Sequence, residues 1–127
     1  MKKKIFLICP VRNVPPKVEA KIKLYVASKE KEDYEVYWPA RDTNQQDHIG
    51  LRICKDNRLA IVMADEIHVW YDKTSEGSKF DLGMVLMMLY FSEQRYQKIV
   101  IANPEEVQPT PKKSLENVLI ALANNYR

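Results

Sequence analysis

The sequence predicts an α/β fold: a doubly wound, flavodoxin- or Rossmann-like, mostly parallel sheet of four to five strands in the order 2-1-3-4, with helices on both faces. Two observations carry this expectation. Short runs of strand-forming residues alternate along the chain with stretches of helical periodicity, giving βαβαβαβα, and such alternation implies right-handed crossovers and a parallel sheet. The first run, Ile5 to Cys9, is apolar without polar alternation, the pattern of a central strand covered on both faces. The 127 residues hold three glycines, no internal repeat and no low-complexity tract, so one domain over 1–127 is expected.

Each element has a local signal. Pro15 and Pro16 open the first helix, and Val18, Ile22 and Tyr25 recur at helical spacing until about Glu32. Glu35-Val36-Tyr37-Trp38 is a second strand halted by Pro39, and Ala40 to Asp47 reads as a polar, irregular loop. Ile49, Ile53, Ala60 and Met63 form the stripe of a helix that starts near Asp47 or His48 and runs to about Ala64. Ile67 to Tyr71 is a third strand, Ser75 to Ser78 a turn, and Phe80 to Ser92 a helix apolar on most sides. Lys98 to Ala102 supplies a fourth strand. Asn103-Pro104 breaks the chain, and Leu115, Val118, Leu119 and Leu122 mark a last amphipathic helix.

Composition narrows the function. With 20 basic and 17 acidic residues dispersed along the chain, the net charge of +3 gives no nucleic-acid surface. The longest apolar run, near Met84 to Leu89, is far short of the ~18 residues that cross a bilayer, and the N-terminal run is too short for a secretion signal. Cys9 and Cys54 read as reduced thiols of a cytoplasmic protein. His48 and His68 have no metal-ligand spacing with each other or with the cysteines, and there is neither a GxGxxG nor a GxxxxGK[ST] run, so no metal, dinucleotide or triphosphate site is expected.

Ligands of such sheets sit at the carboxyl ends of the strands flanking the switch point, here the loops Pro10 to Asn13 and Asp72 to Ser78. Arg12 can offer its fork to a phosphate or carboxylate there, or be a surface residue. In Gly77-Ser78-Lys79-Phe80-Asp81-Leu82-Gly83, Ser78 and Asp81 fit a capping box, while a carboxylate at that place also suits a nucleophile or sugar-binding group. Gly83 inside a helix costs up to ~1 kcal/mol, which close approach by a neighbour or ligand would explain. Asp56 falls in the middle of the second helix's apolar stripe, as half of a buried pair with Arg52 or as a ligand-contacting carboxylate. The loop Arg41 to His48 suits a ligand lid or an exposed loop. Met84, Met87 and Met88 read as core filler.

Taken together, Phe6-Leu7-Ile8-Cys9-Pro10-Val11-Arg12, Asp56-Asn57, Ala64-Asp65-Glu66-Ile67 and Gly77-Ser78-Lys79-Phe80-Asp81-Leu82-Gly83-Met84 resemble the nucleoside 2-deoxyribosyltransferase family, over roughly Lys4 to Ala102. In that family a Glu attacks the anomeric carbon of a deoxynucleoside, and water or another base resolves the glycosyl-enzyme. Asp81 takes that place here, one methylene shorter. The family's acid six residues earlier falls on Ser75, with Glu76 or Asp72 as substitutes. The resemblance implies N-glycosidic cleavage or deoxyribosyl transfer without a cofactor, with Asp81 and Asp56 catalytic and Cys9, Pro10, Arg12, Asp72, Ser75, Gly77 and Ser78 around a nucleoside or nucleotide. It also implies a homodimer or larger homo-oligomer. A nucleotide-binding or sensor protein using the same pocket is the alternative.

Overall fold

The computed structural model describes residues 2–91 and 97–125. Its sheet is β1 (Lys4–Ile8), β2 (Glu35–Tyr37), β3 (Glu66–Val69) and β4 (Lys98–Ile101), all parallel, in the order β2-β1-β3-β4. The helices are α1 (Pro16–Lys31), α2 (Pro39–Asp42), α3 (Leu51–Met63), α4 (Glu76–Phe91) and α5 (Leu115–Ala123), with a 3-10 turn at Pro104–Glu106. This is the doubly wound arrangement that the alternation of elements predicts. Among the described residues no helix is long and apolar enough to cross a membrane.

β1 divides the core. Phe6 and Ile8 point to the α3 and α4 side with Ile61, Ile67, Val69, Leu82 and Val85, whereas Ile5, Leu7 and Cys9 point to α1 with Ile22, Val26 and Val36. Both faces of the strand are therefore dry, which explains why its sequence shows no polar alternation. Each such side chain contributes about 1.5–3 kcal/mol through burial.

Several boundaries differ from the sequence expectation, each for a local reason. β2 ends at Tyr37 because Trp38 is already the N-cap of α2, whose first residue is Pro39, so a helical turn occupies the start of the expected irregular loop. α3 begins at Leu51, after Gly50 in the left-handed region at φ 92°. Asp47 does not cap it from the adjoining position; its carboxylate reaches forward to accept the Arg52 and Ile53 amides at 2.9 and 3.3 Å. α4 starts four residues early, because Ser75 Oγ accepts the Ser78 amide at 3.2 Å and so supplies the N-cap. At Asn103, read as a breaker, the buried side chain accepts the Tyr71 amide at 2.7 Å and donates to the Tyr71 carbonyl at 2.9 Å. It thereby ties the chain leaving β3 to the end of β4.

A polar chain is buried beneath α1. His68 contacts Glu66 Oε1 through Nε2 at 2.8 Å and the Tyr25 hydroxyl through Nδ1 at 2.5 Å, and the Tyr34 hydroxyl donates to Glu66 at 3.4 Å. Burial lowers the His68 pKa despite the opposing pull of Glu66. A neutral ring that donates to Glu66 and accepts from Tyr25 satisfies both nitrogens. A histidine held neutral when folded contributes stability above its unfolded pKa of about 6.5 that is lost as pH falls. The ring is expected to titrate below 6.5 by NMR, with thermal stability declining over the same acid range. A midpoint at or above 6.5 would contradict this.

Candidate functional site

A cavity of about 490 Å³ lies at the carboxyl ends of β1 and β2, within the size range of small-molecule sites. Pro10 and Arg12 reach it from the turn that follows β1, Glu19 from the start of α1, Trp38 from the head of α2, and Gln45 and Asp47 from the segment between α2 and α3. The turn needs a left-handed residue, and Asn13 supplies it at φ 52°. The α2–α3 segment is held by side chains: Gln45 donates to the Pro39 carbonyl at 2.9 Å, and Asp47 binds the α3 amides. Backbone hydrogen bonds, that of Gly50 foremost, keep the Asp47 carboxyl below the usual range and hence ionised. Trp38 is fixed by the Arg41 guanidinium 5.9 Å from its ring, and Arg41 is itself held by Asp42 and Glu30. The wall is polar and carries both charges, and its floor is aromatic.

Asp81 does not line this cavity; its links to the surroundings run through Asn57 of α3 and Cys9 after β1. It is 8% exposed on α4, among the few buried ionisable groups. Burial pushes its pKa up to about 7, against the pull of the Asn57 side chain that hydrogen-bonds it. Asn57 lies one turn beyond the cavity-lining Ile53 on α3. The Asp81 charge is also felt by Cys9, the residue before Pro10, whose thiol burial pushes up to about 12 and so keeps protonated. Asn57 Oδ1 in turn accepts the Thr43 hydroxyl at 2.8 Å, and Thr43 meets the Tyr37 hydroxyl at 2.6 Å. A desolvated carboxyl ionising near neutrality can act as a nucleophile or exchange a proton.

The remaining residues singled out from sequence divide. Pro10 and Arg12 line the cavity, and Cys9 lies just behind it. Asp72 closes a turn by accepting the Thr74 amide and hydroxyl at 2.9 and 2.7 Å. Ser75 caps α4, Ser78 is buried with its hydroxyl donating to Ser75 Oγ at 2.9 Å, and Gly77 is exposed. The capping box of Ser78 and Asp81 does not form: with Ser75 as the cap, Asp81 lies beyond the first turn and turns to Asn57. Of the two loops expected to hold a ligand, only the one after β1 lines the cavity, and the segment after β2 replaces the other.

Asp56 does not face the sheet. Its side chain is 44% exposed and stands 4.0 Å from Arg52, an outward pair, and the buried position belongs to Asn57. The phase error came from the ends of the assumed stripe, since Ile49 and Met63 are both exposed while Asn57, Ile61 and Ala64 are buried. Taking Ile61 as the anchor would have found Asn57. Nor does close approach within the chain explain Gly83, where an added Cβ would meet nothing within 4 Å.

Among the described residues no group of three or more His, Cys, Asp or Glu side chains is placed to hold a metal ion. Comparison with protein-family models and with curated proteins gives no match.

Proposed function

We propose that the protein cleaves the N-glycosidic bond of a nucleoside or nucleotide, or transfers its deoxyribosyl group, with Asp81 as nucleophile. The observation that carries this reading is the buried Asp81 carboxyl, bonded by Asn57 and brought by burial to a pKa of about 7. A poorly solvated carboxylate is a strong nucleophile toward an electron-poor anomeric carbon. Its oxygen forms a bond to C1′ as the C1′–N bond breaks, and the base departs with the bonding pair and takes up a proton. Water, or a ring nitrogen of a second base, then attacks C1′ and frees the carboxylate. The orienting part assigned from sequence to Asp56 passes to Asn57, which touches Asp81. Arg12 at the cavity rim is the group suited to a 5′-phosphate, and Trp38 offers a face for stacking a base.

The chemistry resembles that of the nucleoside 2-deoxyribosyltransferases, with Asp in place of their Glu. A second copy of the chain is proposed to cover the outer face of α4, where Phe80, Leu86, Met87, Tyr90 and Phe91 are exposed around Gly83. From Leu82 to Phe91 the helix has no charged residue, so the face is compatible with itself. The free thiols of Cys9 and Cys54 fit a reducing, cytoplasmic setting.

Incubation with a panel of nucleosides and 5′-monophosphates, followed by chromatography for free base, tests the reading. Because the nucleophile must be ionised, release should rise with pH through about 7. The panel should also raise thermal stability, by about 2.7 kcal/mol for a ligand at ~100 times its dissociation constant. The small exposure of Asp81 favours one second reading, a nucleotide sensor. Stabilisation by a nucleotide without base release would select it, and no response to any compound at millimolar level would defeat both.

A further inference from the structure

We propose that Tyr37, Thr43 and Asn57 form a directional hydrogen-bond chain that positions Asp81 and couples its charge to the cavity wall. This rests on the reading of Asp81 as the reacting carboxylate, and Thr43 and Asn57 act as positioning residues. The polarity follows from counting protons. Thr43 has one hydroxyl proton and gives it to Asn57 Oδ1 at 2.8 Å. The 2.6 Å contact between Thr43 and Tyr37 must then be donated by Tyr37. With its carbonyl oxygen committed to Thr43, Asn57 turns its amide group, which can only donate, toward Asp81. Every proton in the chain points to the carboxylate.

Such a chain favours the ionised acid. A protonated Asp81 can still accept the Asn57 amide through its carbonyl oxygen, but that bond is weaker than one to a carboxylate, and its own proton finds no acceptor in the chain. Thr43 and Asn57 are both buried, so water does not readily replace either link of the chain. Thr43 also opens the segment carrying Gln45 and Asp47, which form the cavity wall. Tyr37 is anchored at the other end by stacking on Phe6 of β1, with ring centroids 5.6 Å apart. A ligand that presses on this wall and the charge on Asp81 are therefore linked.

No other charge near Asp81 accounts for the effect. α3 presents the uncharged Asn57, while its Asp56 and Arg52 pair outward. The residue after β1, Cys9, is a neutral thiol, and the neighbouring turn of α4 carries the uncharged Ser78.

The test is the titration of the Asp81 carboxyl carbon by NMR in the full-length protein, assigned by its absence from Asp81→Asn. Thr43→Val should raise the midpoint by about one pH unit, a tenfold rise in proton affinity, and Thr43→Ser should restore it. Should Thr43→Val fail to fold, Thr43→Ala carries the same expectation. A residue that merely fills space would lower the melting temperature without moving the titration. An unmoved midpoint in the folded variant overturns the proposal, whatever the protein does to nucleosides. A shifted midpoint in a protein that releases no base upholds the chain and removes the catalytic reading alone.

Discussion

Asp81→Asn is expected to lose base release by a factor of ~10³ or more and at the same time to be more stable than the parent at pH 8. The amide keeps the shape of the carboxylic acid but cannot form the glycosyl ester. The stability change follows from the raised pKa. In the folded protein Asp81 keeps its proton up to about pH 7, whereas its ordinary value is 3.8. Between these values the unfolded chain gives up its proton more readily, so rising pH favours unfolding, and above pH 7 the whole penalty is present. Three pH units correspond to at most about 4 kcal/mol. The variant escapes that penalty, so its advantage should grow from pH 4 to pH 8 in thermal melts. A gap that does not change with pH would show that Asp81 is not held protonated by burial. Base release at the parental rate would remove it as the nucleophile. Asp81→Glu is the companion: if the shorter arm limits reach, the added methylene should preserve or increase turnover.

The second large effect concerns association. Met87 is 61% exposed on the uncharged outer face of α4, so within one chain Met87→Lys should alter stability by no more than about 0.5 kcal/mol. At a self-paired interface, twofold symmetry places two copies of the new charge close together. Sedimentation velocity at micromolar concentration is expected to show a dimer or larger assembly for the parent and a monomer for the variant, with association weakened ~100-fold or more. Placed on the same face, Gly83→Ala should leave the single chain undisturbed, since an added Cβ there meets nothing within 4 Å, and should weaken association if a second copy packs closely on it. A parent that sediments as a monomer would end the oligomer reading.

The strand order was legible because it depends on coarse signals: an apolar run buried on both faces, then alternating periods that admit few right-handed connections. The site was legible only in part. Pro10, Arg12 and Asp81 were reached through their place beside a strand end or at a helix start. Asn57 was missed by one position, because two exposed apolar residues, Ile49 before α3 and Met63 at its end, drew the stripe away from the true buried line through Ile61. Thr43, Gln45 and Asp47 were submerged in a polar segment whose order comes from contacts distant in sequence, such as Thr43 with Asn57, to which no local period points. Asn103 illustrates the same limit. Its side chain behaves as an extra rung of the sheet, yet alone it reads as a turn residue.

The placement of β1 in the middle of the sheet bears on how the chain emerges during synthesis. Its partner β3 lies about sixty residues downstream, as does Asp65, whose carboxylate binds the Lys4 amide across a separation of 61 residues. At roughly 5–20 residues per second, the most apolar strand of the protein waits on the order of 3–12 s before its second edge is made. During that interval one edge has at best β2 for company, and the other is bare. Lys2, Lys3 and Lys4 immediately precede this run, and a cluster of like charge beside an unpaired strand discourages it from joining the same strand of a neighbouring nascent chain.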